Sequence, residues 1–207
     1  MTPLLKIPLF KADNLNAPLQ LPITCNNWPV EFPYSPLVMA DLWHDGENLF
    51  IKFTVDESFV AATARKDNDK VCVDSCVEFF IAFDDNGYYN IEANCAGTVL
   101  MSHRKGRKVD VKYASPEVLS SIERKPSIGN KTFECRKADS PWTLTLKIPA
   151  SAFFMHDFKD LSGVTACGNI YKCGDNLPEP HYLSLAPIAT PQPDFHQPSF
   201  FTPISFQ

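Results

Sequence analysis

Apolar and polar residues alternate strictly in several segments of this chain, and this alternation limits the possible folds most. Between residues 49 and 55, every second residue is apolar, beginning with Leu49. Successive residues of a strand point to opposite faces of its sheet, so the pattern predicts a strand with one buried face. The same alternation occurs at residues 77–83, 89–95 and 142–148, and weaker strand patterns occur at residues 37–43, 98–103, 164–171, 182–187 and 203–206.

Helices are expected to be few and short, because the chain has 18 prolines against 8 glycines. Proline cannot donate to a sheet ladder and therefore marks strand ends and loops. A short helix is predicted at residues 116–122, with Ser115 as its cap and Pro116 in its first turn. A helical turn is predicted near residues 151–154. These elements indicate an all-β fold, a two-sheet antiparallel β-sandwich of jelly-roll or immunoglobulin-like type with one or two short helices. One domain over residues 1–207 is expected.

The sequence Asp84-Asp85-Asn86-Gly87 separates two of the strongest predicted strands. Asn-Gly between alternating segments is a strong hairpin signal. If the apolar residues of this hairpin face the core, its other face presents a polar and aromatic set, which we expect to be exposed. That set comprises Glu78, Phe80 and Ala82 from the first strand and Tyr88, Asn90, Glu92 and Asn94 from the second.

Carboxylates and amides on rigid strands, with aromatic rings nearby, suit the recognition of sugars. Hydroxyl groups need hydrogen-bond donors and acceptors, and aromatic faces suit the C–H side of a sugar ring. A solvated outer sheet face is the simpler interpretation of the same pattern. Glu78 and Glu92 also have the composition of an acid/base pair for glycoside hydrolysis.

Other functional classes have less support in the sequence. The net charge of −5 argues against nucleic acid as a partner. The basic segment 104–112 is interpreted as a solvated hairpin or loop. The histidines are scattered without a metal-binding motif such as H-E-x-x-H. Asp67-Asn68-Asp69 resembles a set of calcium ligands but lacks the rest of an EF-hand loop, so it is interpreted as a solvated turn.

The cysteines and the first residues of the chain indicate the cellular compartment in which the protein is expected. The seven cysteines are an odd number without a C-x-x-C pair, so all are predicted to be reduced. Cys72 and Cys76 are expected to share one face of an extended run. The segment from Met1 to Lys6 does not have the pattern of a signal peptide, and no segment approaches the ~18 apolar residues of a membrane span. We therefore expect a cytoplasmic protein if Met1 is the native start, and a periplasmic or extracellular one otherwise.

The segments D-S-C-V-E-F-F at residues 74–80 and F-H-Q-P-S-F-F at residues 195–201 resemble motifs of family 9 carbohydrate-binding modules, in particular the family-9-like modules of gut bacteria within the wider group of DOMON-type sandwiches. The segment 74–80, D-S-C-V-E-F-F, resembles the D-S-V-E-hydrophobic strand of the family with one extra residue. The segment 195–201, F-H-Q-P-S-F-F, resembles its aromatic-x-x-P-x-x-F ending. Segments 88–94, 142–149 and 169–171 occur in the matching order, and the likeness extends from about Val38 to Phe206.

The resemblance implies a saccharide site in which two tryptophans stack on the end of a sugar chain and the sheet supplies polar contacts. It places the acidic contact at Glu78, polar contacts near Asn90 or Glu92 and at Asn169, and one stacking aromatic at Phe195. It also implies that a structural calcium is possible. The sequence departs from the family pattern near Cys72, where no aromatic occurs; Trp28, Trp43 and Tyr171 are the alternatives for that platform.

The favoured hypothesis is a non-catalytic domain that binds a saccharide or the end of a polysaccharide. Its predicted ligand-binding residues are Glu78, Asn90, Glu92, Asn94, Asn169, Tyr171 and Phe195. Three alternatives remain open: a haem-binding DOMON-like domain, a sugar-active enzyme and an interaction domain whose sugar site has decayed. Haem would need an axial pair, and the candidates Met101 and His103, two residues apart on one strand, cannot lie on opposite sides of an iron.

Overall fold

A computed structural model describes residues 4–11 and 17–207 of the chain. The first three residues of the segment tested for a leader lie outside the described residues. In the described part the strands are β1 Leu5–Ile7, β2 Leu19–Pro22, β3 Cys25–Asn26, β4 Leu37–His44, β5 Asn48–Asp56, β6 Phe59–Ala62, β7 Cys76–Asp84, β8 Gly87–Asn94, β9 Val99–Arg104, β10 Lys112–Tyr113, β11 Glu123–Pro126, β12 Phe133–Lys137, β13 Trp142–Pro149, β14 Thr165–Cys173, β15 Tyr182–Ser184 and β16 Thr202–Phe206. The helix α1 is Pro116–Ser121, and single 3-10 turns lie at Val71–Val73, Ala150–Ala152 and Pro198–Phe200.

Two large sheets confirm the predicted all-β sandwich. The first sheet has the order β1-β16-β14-β7-β8-β9-β10, and β15 and β3 extend it beside β14. The second sheet has the order β11-β13-β5-β4-β2, and a small third sheet pairs β12 with β6. Neighbouring strands are antiparallel apart from β1 and β16, which run parallel.

The main core lies between the two large sheets and follows the predicted alternation. Leu49, Ile51, Phe53 and Val55 of β5 are buried together with the apolar positions of β13. On the first sheet, the inward residues of β7 and β8 complete this core. Because both sheets contribute alternate residues, one face of each strand in the hairpin is committed to packing, and the other face is available for other contacts.

The β7–β8 hairpin is confirmed, although the glycine has a different role from that in a standard Asn-Gly turn. Asp85 and Asn86 form the turn, and Gly87 is already the first residue of β8, paired with Asp84. Gly87 has φ of +144°, and a Cβ there would lie 2.6 Å from the carbonyl oxygen of Arg104. Glycine is therefore required here by the close approach of β9.

The prediction that the outer face of this hairpin is exposed is wrong. Residues 185–201, named here the covering segment, cross that face and bury a second apolar cluster against it. The cluster includes Phe80, Tyr88, Tyr171 and Phe195. As a result Glu78 is 4% exposed and Glu92 is 8% exposed, although both point away from the main core as predicted.

The remaining local predictions have mixed outcomes. Helix α1 is confirmed, and the Ser115 hydroxyl accepts a hydrogen bond from Val118 N. Cys72 lies in the 3-10 turn before β7 rather than on an extended run with Cys76. The basic segment is a largely exposed loop, but its first residue, Arg104, is buried. All seven cysteines are free thiols.

Within the part of the chain that the structure describes, no helix has the length and apolarity needed to cross a lipid bilayer.

Candidate functional site

A cavity of about 350 Å³ lies between the outer face of the β7–β8 hairpin and the covering segment. Its volume is at the lower end of the range for ligand pockets. Glu78 and Glu92 line it from the sheet, and residues 192–196 line it from the covering segment. The remaining lining residues are Phe32, Cys72, Arg107, Cys173, Asp175 and Tyr182.

Glu78 and Glu92 are direct cross-strand partners, so their side chains lie side by side on the sheet. Two like charges in that position repel each other. Burial, and then the Glu92 charge, raise the pKa of Glu78 well above its usual value. Burial also raises the pKa of Glu92, but the hydrogen bond from Asn90 and the charge of Arg104 oppose this rise. Glu78 is therefore the carboxyl group of the pair that holds a proton more strongly.

A chain of buried hydrogen bonds fixes Glu92. Arg104 donates to Ser102 Oγ through Nε and a terminal nitrogen, at 2.9 and 2.6 Å. Ser102 Oγ donates to Asn90 Oδ1 through a short hydrogen bond. Asn90 Nδ2 then donates to Glu92 Oε1 at 2.7 Å. Asn90 is thus a positioning residue for Glu92, and it does not itself line the cavity.

Phe195 belongs both to the cavity lining and to the second apolar cluster. Its ring stacks on Tyr171, with 4.2 Å between the ring centroids and 8° between the planes. Tyr171 Oη donates to the backbone oxygen of Phe195 at 3.1 Å. Tyr171 is fully buried and does not line the cavity, so its contact with Phe195 anchors the covering segment.

Asn169 and Asn94 have structural partners and do not line the cavity. The Asn169 amide donates to the oxygen of Ala186 at 3.1 Å and accepts from its nitrogen at 3.0 Å, which fixes the start of the covering segment. Asn94 donates to Asp74 at 2.8 Å and accepts from the backbone of the following turn. Of the seven predicted residues, the structure therefore brings Glu78, Glu92 and Phe195 to the cavity.

The sequence analysis did not predict the other ten lining residues as site residues, among them Arg107, Asp175, Phe32 and Tyr182. Arg107 was assigned to a solvated segment, and Asp175, Phe32 and Tyr182 belong to no recognised motif. Arg107 reaches the cavity because the loop after β9 folds back, where its backbone oxygen accepts from the Arg104 guanidinium at 2.9 Å. Only the position of this loop directly after a hairpin strand could have indicated the role of Arg107.

His196 also lines the cavity, within the aromatic tail motif. Its Nδ1 lies 2.9 Å from Tyr88 Oη. Burial and the charge of Arg104 lower the pKa of His196 to about 4, so its ring is neutral at pH 7. The Asp194 carboxylate accepts a hydrogen bond from the backbone nitrogen of His196 at 3.1 Å, which holds this part of the covering segment in place.

A larger cavity of about 740 Å³ lies beside the turn of the hairpin. Its charged lining residues, Asp84, Asp85 and Lys105, are all exposed. Buried charged groups that converge on one space are the stronger indication of a ligand site, because burial without a ligand is costly. The smaller cavity is therefore the candidate site.

The two carboxylates of the turn at residues 67–69 are held by an arginine side chain and by backbone nitrogens. Asp67 binds Arg124 through both carboxylate oxygens, at 2.7 and 2.9 Å. Asp69 accepts from the backbone nitrogens of Arg65 and Lys66. These carboxylates have protein partners, and the turn interpretation agrees with the structure.

Met101 and His103, the two candidates for haem ligation, are both packed against other side chains of the protein. Met101 is fully buried in the main core, and the His103 ring packs against Tyr89 at a centroid distance of 4.9 Å. Both side chains are on the inner face of β9, as expected for residues two apart on one strand.

A sequence model described as carbohydrate-binding family 9 matches residues 10–206, which is nearly the whole chain. The chain belongs to carbohydrate-binding family 9. It is a carbohydrate-binding module by this criterion, as its motifs suggested. No curated protein matches the sequence significantly.

Solved structures agree with the family 9 assignment. A protein from Bacteroides uniformis ATCC 8492, described as a candidate carbohydrate-binding protein, is 35% identical, with 100% of each chain covered and a TM-score of 0.92. A family 9 module from Caldicellulosiruptor kristjanssonii in complex with cellotriose is 8% identical, with 98% of this chain and 93% of that chain covered and a TM-score of 0.59. A structure with the same description, in complex with glucose, is 9% identical, with 98% of this chain and 95% of that chain covered and a TM-score of 0.58. At such low identity, the last two show a shared fold.

Proposed function

We propose that this family 9 protein is a non-catalytic module that binds the end of a saccharide chain in the cavity under the covering segment. The observation that carries the proposal is the convergence of a buried carboxyl pair, an arginine and aromatic rings on one small space. The sheet closes the cavity from below, so a chain end fits it better than the middle of a polymer. The saccharides bound in the two Caldicellulosiruptor structures support the ligand class.

The carboxyl pair suits sugar hydroxyl groups because each hydroxyl both donates and accepts a hydrogen bond. With the proton on Glu78, that group donates to a hydroxyl oxygen, and ionised Glu92 accepts from a neighbouring hydroxyl. Arg107 adds donors at the rim, where its side chain is exposed. Bonds to charged groups are stronger than neutral ones, so Glu92 and Arg107 provide the strongest polar contacts.

Aromatic rings supply the apolar contact in the cavity. Phe195 is one platform, as the family resemblance implies. The position near Cys72 has no aromatic in sequence, but Phe32 and Tyr182 line the cavity together with Cys72. Their rings form a T-shaped pair at 4.8 Å. We assign the second platform to this pair. Trp43 stacks on Phe50 of the second sheet, and Trp28 packs behind Phe195.

The arrangement of the two carboxyl groups favours binding without hydrolysis. A raised pKa is what a general acid needs, and Glu78 has one. However, glycoside hydrolysis places its two carboxyl groups on either side of the scissile bond. Glu78 and Glu92 stand on adjacent strands of the same sheet face, so both approach a ligand from the same side.

Titration calorimetry of the full chain with glucose, cellotriose and a panel of other oligosaccharides tests the proposal. Glu92→Gln should weaken binding about tenfold to a hundredfold, because a hydrogen bond to a charged group contributes about 1.5–3 kcal/mol and about 1.4 kcal/mol corresponds to tenfold. The replacement keeps the shape of the side chain, which matters because Glu92 is buried.

Glu134→Gln is the matched control, since Glu134 is exposed on β12 outside the cavity lining. This variant should bind like the wild type. Wild-type affinity in Glu92→Gln would contradict the assigned site. Shortening of an oligosaccharide during incubation with the wild type would overturn the non-catalytic part of the proposal.

A further inference from the structure

Cys76, Glu78 and Cys173 place two sulfurs and a carboxylate oxygen within 4.8 Å of one another. The placement follows from strand register, because Cys76 of β7 pairs directly with Cys173 of β14. Glu78 lies two residues after Cys76 and therefore points to the same face. The Cys173 sulfur is 3.1 Å from Glu78 Oε1. All three side chains are buried.

We propose that Cys76, Cys173 and Glu78 form a binding site for a thiophilic divalent cation of the zinc class. Zinc binds thiolate sulfur at ~2.3 Å and carboxylate oxygen at ~2.0–2.2 Å, in a tetrahedron. The present spacing of the three ligating atoms, within 4.8 Å of one another, is close to the ~4–4.6 Å that two ligands of one such ion can span. Calcium and magnesium prefer oxygen ligands, so the two sulfurs select against them.

The fourth coordination position opens into the cavity. Cys173 and Glu78 line the cavity, whereas Cys76 lies behind them and is fully buried. A bound cation would therefore have three protein ligands and one exchangeable position for water or for a ligand in the cavity. Zinc sites of this open type differ from closed structural sites with four protein ligands.

Other cysteines of the chain lack the arrangement of Cys76 and Cys173, so they provide controls for nonspecific binding of metal to thiols. Cys95 is equally buried but belongs to the main core, where its sulfur donates to the oxygen of Ala61 at 3.3 Å. Cys135 and Cys167 are exposed. None of these thiols has the paired geometry of Cys76 and Cys173.

Cobalt titration of the reduced, metal-free full chain tests the proposal, because tetrahedral cobalt–thiolate sites absorb visible light. One Co²⁺ per chain should bind with this absorption, and one equivalent of Zn²⁺ should displace it. Cys76→Ser and Cys173→Ser should each weaken cobalt binding about a hundredfold or more, since even loss of an outer-shell partner typically costs 10–100-fold. Cys95→Ser should leave it unchanged.

The test separates metal binding from saccharide binding. Cys76→Ser should lose cobalt binding in the titration. Because Cys76 does not line the cavity, the saccharide affinity of this variant, measured separately with a chelator present, should equal that of the wild type. Absence of the cobalt–thiolate absorption in the wild type overturns the metal site, as does wild-type cobalt affinity in both serine variants. Because the wild-type titration decides the question alone, a variant that fails to fold does not obscure the result.

Discussion

Lys172 and Glu57 form a buried ion pair between the sheets, and breaking it should destabilise the protein strongly. Lys172 Nζ lies 2.8 Å from Glu57 Oε2, and both side chains are 0% exposed. That contact is ionic, since Glu57 Oε2 has no partner with hydrogen-bond geometry. Lys172 also donates to the oxygen of Cys173 and to His181 Nε2, both at 2.8 Å, while the Trp142 indole donates to Glu57 Oε1 at 2.7 Å.

The expected loss is large because each single change leaves a charge in the core. Glu57→Gln keeps an oxygen for Trp142 but leaves the Lys172 ammonium without its counter-charge. Removing one partner of a buried pair costs about 3–5 kcal/mol. The double variant Glu57→Gln/Lys172→Met has no buried charge at these positions and should recover on the order of 2–3 kcal/mol relative to the sum of the single changes.

Urea unfolding followed by tryptophan fluorescence measures these differences, and Trp142 lies beside the altered group. Asp139→Asn is the surface control, because its pair with Arg136 is exposed and such pairs contribute about 0–1 kcal/mol. A loss below about 1 kcal/mol in Glu57→Gln would refute the reasoning, since removal of a buried counter-charge costs several times more. Strict additivity in the double variant would also refute it.

Two further predictions concern acid stability and backbone geometry. Burial lowers the pKa of His181 from 6.5 to about 2, so between these values the unfolded chain binds more protons and stability falls with falling pH. His181→Asn should reduce this slope by about 1.4 kcal/mol per pH unit, as measured by urea unfolding at several pH values; an unchanged slope would contradict the assignment. Gly87→Ala should lower the melting temperature more than Gly129→Ala, because both glycines have positive φ but only at Gly87 would the Cβ meet backbone, at 2.6 Å. Equal losses of melting temperature in the two variants would show that the positive φ, and not the contact with the backbone, determines the cost of the Cβ.

The sequence predicted the sandwich well because alternation reports directly on which face of a strand is buried. It placed β5, β7, β8 and β13, and it put Glu78 and Glu92 on the same face of the hairpin. Strands such as β3 and β10, with two residues each, are too short to show a period. They exist because a neighbouring strand offers hydrogen bonds, which no local pattern encodes.

The error in the exposure of Glu78 has a related cause. The alternation identifies the outer face of the hairpin, but it does not show that the covering segment, far later in the chain, buries this face. Phe195 and Tyr171 indicated aromatic contacts in the right region, yet their stacking on each other depends on tertiary packing. Arg107 was missed for the same reason, because a basic loop residue looks solvated until the loop folds back.

The cavity is built from two parts under different constraints. Its floor consists of strands paired on both sides, so a change of length there would disturb the whole first sheet. Its cover is irregular chain, held by Asn169 at Ala186, by Asn27 at Ile188, by Trp28 at Thr190 and by Tyr171 at Phe195. Between these attachments, insertions and substitutions alter the cavity without altering the sandwich. We therefore expect relatives with this fold to differ in ligand preference mainly through the cover, and residues 191–194, which follow the last of the attachments before Phe195, are the natural region for library design.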